Sequence, residues 1–369
     1  MITSAYRGLA QALGSLPLNW SPQPQARSSV DLVVHGASAG EVRAASAWTE
    51  SLQSERPDLR VLITSSTPAG IACGASARLP RDIPMAVDRF FDRTETEGLV
   101  LTEADLWPNL LAQAQQRGIP VGVAGARVSP LSARRYRLAP RATREVLVSI
   151  AAFAAASAGD AERLCDLGAP ADRVEVTGWL KWPRKPALGA ALTEPEGDGP
   201  LLVLGSVHPG EVKLLARRLE GTPLGPGAAR WVAVARHARS GSALGREGDR
   251  LLPRGSYAVD SRFGVLDAWY ARADAIFVGG GARGRGVHDL LAPLQAGRRP
   301  LCFLRRGDPA DVGRTLASEG LALPLDGEPA LQAEAALEDV TPLWAGVRAR
   351  HDGRARTTRY LSRAGVLPQ

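Results

Sequence analysis

Short apolar runs recur along the chain, each followed by a longer stretch whose apolar positions fall at helical spacing. Asp31-Leu-Val-Val-His35 is the first, leading through Gly36-Ala-Ser-Ala-Gly40 into a predicted helix from Glu41. Residues 60–64, 98–102, 120–124 and the run around 150–155 continue the series. A continuous apolar run bounded by turn residues suits a strand buried on both faces, and the amphipathic stretch after it suits a covering helix. Repetition of that pair predicts βα units and a parallel sheet. Pro183-Arg-Lys-Pro186 then interrupts, and Gly and Pro accumulate up to Pro200. A second series opens with Leu201-Leu-Val-Leu204 and Gly205-Ser-Val-His-Pro-Gly210, and continues at 231–235, 275–278 and 300–304.

The pattern therefore predicts an α/β protein of two doubly wound, Rossmann-like domains, 31–182 and 201–341, with 183–200 as a linker. Residues 1–30 precede them as a short N-terminal helix, and 342–369 follow as a C-terminal helix expected to pack back across the hinge. Sheets of this kind bind ligands beyond the carboxyl ends of their strands, so two of them facing each other place the ligand in the cleft between.

Composition narrows the picture. The 369 residues include 45 Lys and Arg against 38 Asp and Glu, a net charge of +7, with 45% hydrophobic and 22% charged residues. Those fractions exclude a disordered chain and a fibre. The positive balance suits an anionic partner, although an arginine-rich, GC-biased coding sequence produces the same excess. Cys73, Cys165 and Cys302 lie too far apart in sequence for a zinc motif or a disulfide framework, which fits a reducing, cytoplasmic compartment. Residues 8–26 carry no charge, but Gln11, Ser15, Asn19, Gln23 and three prolines spoil a membrane span. Tyr6, Leu9, Leu13 and Leu16 fit either a short helix packed on the domain or an amphipathic foot on a membrane surface.

The strand-end loops hold the candidate chemistry. Glu41 falls at a helix start, where amides and the helix dipole favour a carboxylate; it is read either as a first-turn stabiliser or as a functional acid. Glu103 and Asp105 follow the 98–102 strand and suit proton transfer, or, for Asp105, a cap on a helix containing Pro108. Lys181 offers a cation to a phosphate. In the second half, Ser206, His208 and Glu211 join strand to helix, Arg236 and His237 follow another strand, and the glycine-rich loop 279–286 with Arg285 leads to His288. Backbone amides of such loops and arginine side chains bind phosphate. The histidines are scattered singly, without metal spacing.

Taken in order, Val34-His-Gly-Ala-Ser-Ala-Gly-Glu41, Thr64-Ser-Ser-Thr-Pro-Ala-Gly70, Glu103-Ala-Asp-Leu-Trp-Pro-Asn-Leu-Leu111, Ala126-Arg-Val-Ser129 with Ser132-Ala-Arg-Arg-Tyr136, Val176-Thr-Gly-Trp-Leu-Lys181, Ser206-Val-His-Pro-Gly-Glu211 and Phe277-Val-Gly-Gly280 resemble the family of 3-deoxy-D-manno-octulosonic acid (Kdo) transferases. Arg285-Gly286 and His288 extend the likeness, which runs from about residue 31 to 305. The resemblance implies the two-domain GT-B glycosyltransferase fold and transfer of Kdo from CMP-Kdo to a lipid A precursor in lipopolysaccharide biosynthesis. It implies Glu41 as catalytic base, Glu103 and Lys181 as transition-state supports, and Arg236, beside Ala235, as a nucleotide contact. It also implies no metal or other cofactor, a phosphorylated glycolipid acceptor, an anionic membrane surface as partner rather than nucleic acid, and a peripheral place at the inner face of the inner membrane.

The likeness departs in the donor half. The family's Met-Gly-Glu reads Phe263-Gly264-Val265, and its His-Asn-Pro-Leu-Glu-Pro reads His288-Asp289-Leu290-Leu291-Ala292-Pro293. Loss of a carboxylate that holds ribose hydroxyls costs about 1.5–3 kcal/mol, roughly tenfold to 150-fold in donor affinity. A different activated sugar or acceptor, or an impaired catalyst, is the alternative that these departures raise.

Overall fold

The structure, a computed structural model, describes residues 29–103, 106–180, 191–283, 287–304 and 311–369. The chain divides into two compact units, Met1–Trp182 with His351–Gln369, and Pro183–Arg350. The N-terminal segment expected as a helix lies outside the described residues.

The first unit is built on β1 (Leu32–His35), β2 (Val61–Ser65), β3 (Ala77–Arg78), β4 (Gly98–Thr102), β5 (Val121–Ala126), β6 (Ala152–Ala155) and β7 (Val174–Val176). They form one parallel sheet in the order β3-β2-β1-β4-β5-β6-β7, with Leu32 opposite both Val61 and Gly98. Successive residues of the inner strands point to opposite faces, and both faces are covered. Leu99 and Leu101 enter one core with Phe90, Leu110 and Val146 of the helices Pro84–Thr94, Pro108–Gln116 and Pro140–Ser149. Val100 enters the other with Trp48 of the helix Ala39–Glu55 and Leu361 of the helix Arg354–Arg363. Burial of both faces is why these strands read as unbroken apolar runs.

The terminal residues are fastened to this unit by specific polar contacts. The Trp179 ring stacks on His351 with centroids 4.4 Å apart, the Trp48 indole donates to Thr358 Oγ1 at 3.0 Å, and the Thr177 and Thr357 hydroxyls lie 2.9 Å apart. The run expected as one C-terminal helix is two, Thr341–His351 and Arg354–Arg363, separated at Asp352-Gly353.

The second unit repeats the design with β8 (Leu201–Val207), β9 (Arg230–Ala235), β10 (Tyr257–Asp260), β11 (Ala275–Val278), β12 (Pro300–Cys302) and β13 (Leu323–Pro324), in the order β10-β9-β8-β11-β12-β13. β3, β7, β10 and β13 are short edge strands without a long apolar run, so the hydrophobic pattern passes over them. In each sheet the order reverses once, between β1 and β4 and between β8 and β11. Loops leaving adjacent strands there run to opposite faces and open a crevice at the carboxyl ends.

Candidate active site

At the first switch point the loop after β1 is held rigidly. A Cβ on Gly36 would lie 2.7 Å from the Val42 nitrogen, so only glycine lets the strand turn this closely onto the helix Ala39–Glu55. Ser38 caps that helix, its hydroxyl accepting the Glu41 N–H at 3.3 Å. Glu41 returns the contact one residue further out: its Oε2 accepts the Ala37 N–H at 2.9 Å, a capping box displaced by one position. The Ser65 and Thr67 hydroxyls both donate to the Ala37 carbonyl at 3.0 Å. Three side chains, those of Glu41, Ser65 and Thr67, therefore converge on the single residue Ala37.

His35 forms the floor beneath. It is buried, with Nδ1 3.0 Å from Thr64 Oγ1 and Nε2 3.1 Å from Ser66 Oγ. Burial pushes its pKa down to about 3, so the ring is neutral and joins two hydroxyls as donor to one and acceptor from the other. Its edge packs on Trp107, whose buried indole nitrogen has no hydrogen-bond partner among the described residues.

Across the switch point, β4 runs beside β1 with Leu101 opposite His35, and Thr102 Oγ1 donates to the His35 carbonyl at 2.8 Å. The next residue, Glu103, has φ +62°, while its N–H donates to the Ala124 carbonyl at 3.0 Å. A side chain in the left-handed region is strained, and such strain concentrates at functional loops. Its Oε1 lies 3.6 Å from Arg127 Nη1. Glu41 and Glu103 thus follow neighbouring strands of one sheet, Glu41 in the first turn of the helix after β1 and Glu103 directly after β4. Asp105 and Lys181 lie outside the described residues.

The helix containing Pro108 is capped otherwise than the sequence suggests. Its N-cap residue, Trp107, makes no side-chain cap bond; the buried Asp82 carboxylate instead accepts the Asn109 and Leu110 N–H groups at 3.0 and 2.8 Å. Asp82 stands on a different loop, so no local motif reveals it.

At the second switch point Ser206 also has a positive φ, +53°. Glu211 is fully buried. Its carboxylate accepts the His208 N–H at 2.9 Å and the Gly280 N–H at 2.8 Å. Glu247, from the helix Gly241–Asp249, accepts the Gly210 and Lys213 N–H groups at 2.7 Å each. Those amides, expected as an anion cradle, are already engaged by protein carboxylates. No local sequence pattern points to Glu247.

Tertiary structure also gathers histidines that the sequence scatters. His208 and His288 approach with their Nε2 atoms 3.1 Å apart, and the His237 ring centroid is 6.0 Å from that of His208. Among the described residues no group of His, Cys, Asp or Glu is arranged to hold a metal ion. Arg236 is exposed at the end of β9, beside Ala235. After β10, Asp260 grips Arg262 through Nη2 at 2.6 Å and accepts the Trp269 indole N–H at 2.9 Å. The Arg262 guanidinium holds the Asp260 carboxyl down at about 2. That clamp presents Phe263, 75% exposed, on the following turn, where Gly264 has φ +86°.

Other positions carried over from the donor motifs lie at the starts of two helices. Val265 is buried and precedes the helix Leu266–Arg272; Leu290 and Leu291 are buried as well. Asp289 accepts the Leu291 N–H at 3.1 Å at the start of the helix Leu291–Gln295, where Ala292 is half-buried. Arg285 and Gly286 lie outside the described residues.

Comparison with known proteins agrees with this fold. The family model for 3-deoxy-D-manno-octulosonic-acid transferase matches residues 8–184. The transferase of that name from Haemophilus influenzae is 28% identical over 302 residues, 74% of this chain and 69% of its own. That of Bordetella pertussis is 28% identical over 339 residues, 79% of this chain and 75% of its own. Among solved structures, the UDP-GlcNAc 2-epimerase of Methanocaldococcus jannaschii superposes with TM-score 0.59 at 12% identity, over 91% of this chain and 99% of its own. The glycosyltransferase of kitacinnamycin gives 0.54 at 14%, over 94% and 100%. At such identities the structures speak for the GT-B type of fold alone. The sequence relatives speak for the activity class: the chain is a glycosyltransferase, similar over most of its length to Kdo transferases.

Proposed function

We propose that the protein transfers Kdo from CMP-Kdo to a phosphorylated lipid A precursor, with Glu41 as general base and without a metal or cofactor. The observation that carries this reading is the Glu41 carboxylate, oriented by the Ala37 N–H at 2.9 Å on a loop braced by Ser65 and Thr67. In that role Glu41 takes the proton of the acceptor hydroxyl, whose oxygen attacks the anomeric carbon as the bond to the CMP phosphate breaks. A base held in one orientation needs little reorganisation at the moment of reaction. Glu103 and Lys181 would stabilise the developing charge. Arg236, His208 and His288 are the cationic or polar groups proposed to receive the leaving phosphate, and Phe263 offers an exposed aromatic face to the base.

Glu41→Gln, incubated with freshly generated CMP-Kdo and a lipid A precursor, should yield no mass increment on the lipid while donor binding persists. Unchanged turnover overturns the assignment of the base. A second reading, a different activated sugar, is favoured by one observation: the two positions where the family has glutamate hold the buried Val265 and the half-buried Ala292. Calorimetry decides between them, because micromolar binding of CMP supports the first reading and its absence the second.

A further inference from the structure

A phenol stands at the second switch point. Tyr270, on the helix Leu266–Arg272, packs against β8 and is 2% exposed. A Cβ on Gly205 would overlap its hydroxyl oxygen, so only glycine leaves room for that oxygen. Gly205 is the last residue of β8 paired with β11, opposite Val278, and its carbonyl accepts the Gly279 N–H at 2.9 Å. The next residue is Ser206, with φ +53°. The oxygen therefore lies where the two strands part and their loops diverge. The Tyr257 hydroxyl donates to the Leu244 carbonyl at 3.1 Å, whereas that of Tyr270 makes no hydrogen bond among the described residues and is not sealed from solvent. Phenylalanine would pack here equally well, so the fold does not account for the hydroxyl.

The surroundings select the ligand. Asp267 stands in the first turn of the same helix, and Asp289 just before the helix Leu291–Gln295, which packs beside it. Burial holds the Tyr270 phenol pKa well above its ordinary value, and the charges of Asp289 and Asp267 add to that. The phenol thus stays protonated, able both to donate and to accept. A phosphate placed here would meet two carboxylates. The loop amides that would offset them are held by Glu211 and Glu247. A neutral pair of neighbouring hydroxyls suits the place, since each hydroxyl accepts from a phenol and donates to a carboxylate.

We infer that the Tyr270 hydroxyl is a specificity group of the second unit, hydrogen-bonding the ribose diol of the nucleotide bound there. The inference rests on the transferase reading only in taking the diol to belong to a nucleotide donor. Calorimetry on the full chain tests it with CMP and with the dideoxy analogue that lacks both ribose hydroxyls. The parent should bind CMP about tenfold more tightly than the analogue, the worth of one good hydrogen bond. Tyr270→Phe should weaken CMP by about that factor, leave the analogue unchanged and so abolish the discrimination. Its thermal midpoint should equal or exceed the parent's, because the hydroxyl has no protein partner to lose. Parental CMP affinity in the variant, or equal affinity of the parent for the two ligands, overturns the inference. Equal weakening of both ligands, or a lowered midpoint, shows a merely structural tyrosine and overturns it too. Where the parent binds not CMP but another ribonucleoside monophosphate, with the same dependence on Tyr270, the CMP-Kdo reading falls and the diol contact stands. A parent that binds none of the common ribonucleoside monophosphates overturns the contact itself.

Discussion

The buried Glu211 carboxylate accepts the Gly280 N–H at 2.8 Å and so ties the loop after β8 to the loop after β11 across the switch point of the second sheet. The same carboxylate takes the His208 N–H. A carboxylate shared between two buried amides is stronger than neutral bonds, and its loss strands both donors. Glu211→Gln should lower unfolding free energy by about 1.5–3 kcal/mol, read by denaturant titration, and should weaken donor binding. Gly279→Ala tests the same junction from the other side, because its Cβ would stand 2.7 Å from Glu211 Oε2 and 2.8 Å from Val207 Cα. An unperturbed midpoint in both variants would remove the junction from the donor site.

Glu103 occupies the left-handed region, a conformation glycine adopts without strain. Glu103→Gly should be neutral or stabilising by up to about 1 kcal/mol, where the same change on an ordinary loop costs stability. It should nevertheless reduce transfer. A loss of stability together with full activity would show that the strained carboxylate serves the fold rather than the reaction.

His35 has a folded pKa, about 3, below its ordinary value near 6.5, so between those pH values the unfolded chain binds the extra proton. The sign follows directly: stability falls as pH falls through that window, by up to about 1.4 kcal/mol per pH unit. His35→Gln, which cannot titrate, should flatten the slope of unfolding free energy between pH 6.5 and 4 relative to the parent. Parallel slopes would contradict the burial of a neutral ring.

Asp260 behaves oppositely in origin. Arg262 holds its carboxyl at about 2, below the ordinary value of 3.8, so its contribution is present above that value and lost as pH falls towards 2. Because the Arg262 side chain is more than half exposed, the effect is discounted to about 1–2 kcal/mol. Asp260→Asn should therefore be less stable than the parent at pH 7 and converge with it near pH 2. It should also loosen the turn that presents Phe263, raising the KM for the donor more than it changes kcat.

The repeated apolar runs made the two sheets legible, because a strand buried on both faces must be apolar throughout whatever its partners are. Glu41 and Glu103 were legible for a related reason: a parallel sheet brings strand-end loops together, and these loops carry the acids. Ser38 and Glu41 even lie at local capping distance. By contrast, the capping of Asn109 and Leu110 by Asp82, and of Gly210 and Lys213 by Glu247, joins loops and helices far apart in the chain. No periodicity or spacing encodes such pairs.

What the sequence by itself determined is the alternation of strand and helix, the division into two α/β units and the acids placed at strand ends, all consequences of local pattern and of burial on both faces. The tertiary structure alone decided which amides remain for a ligand and which are consumed by Asp82, Glu211 and Glu247. It also decided that His208 and His288 meet. Those outcomes depend on which faces and edges the packed sheets bring together, a relation among distant residues that a linear pattern does not contain.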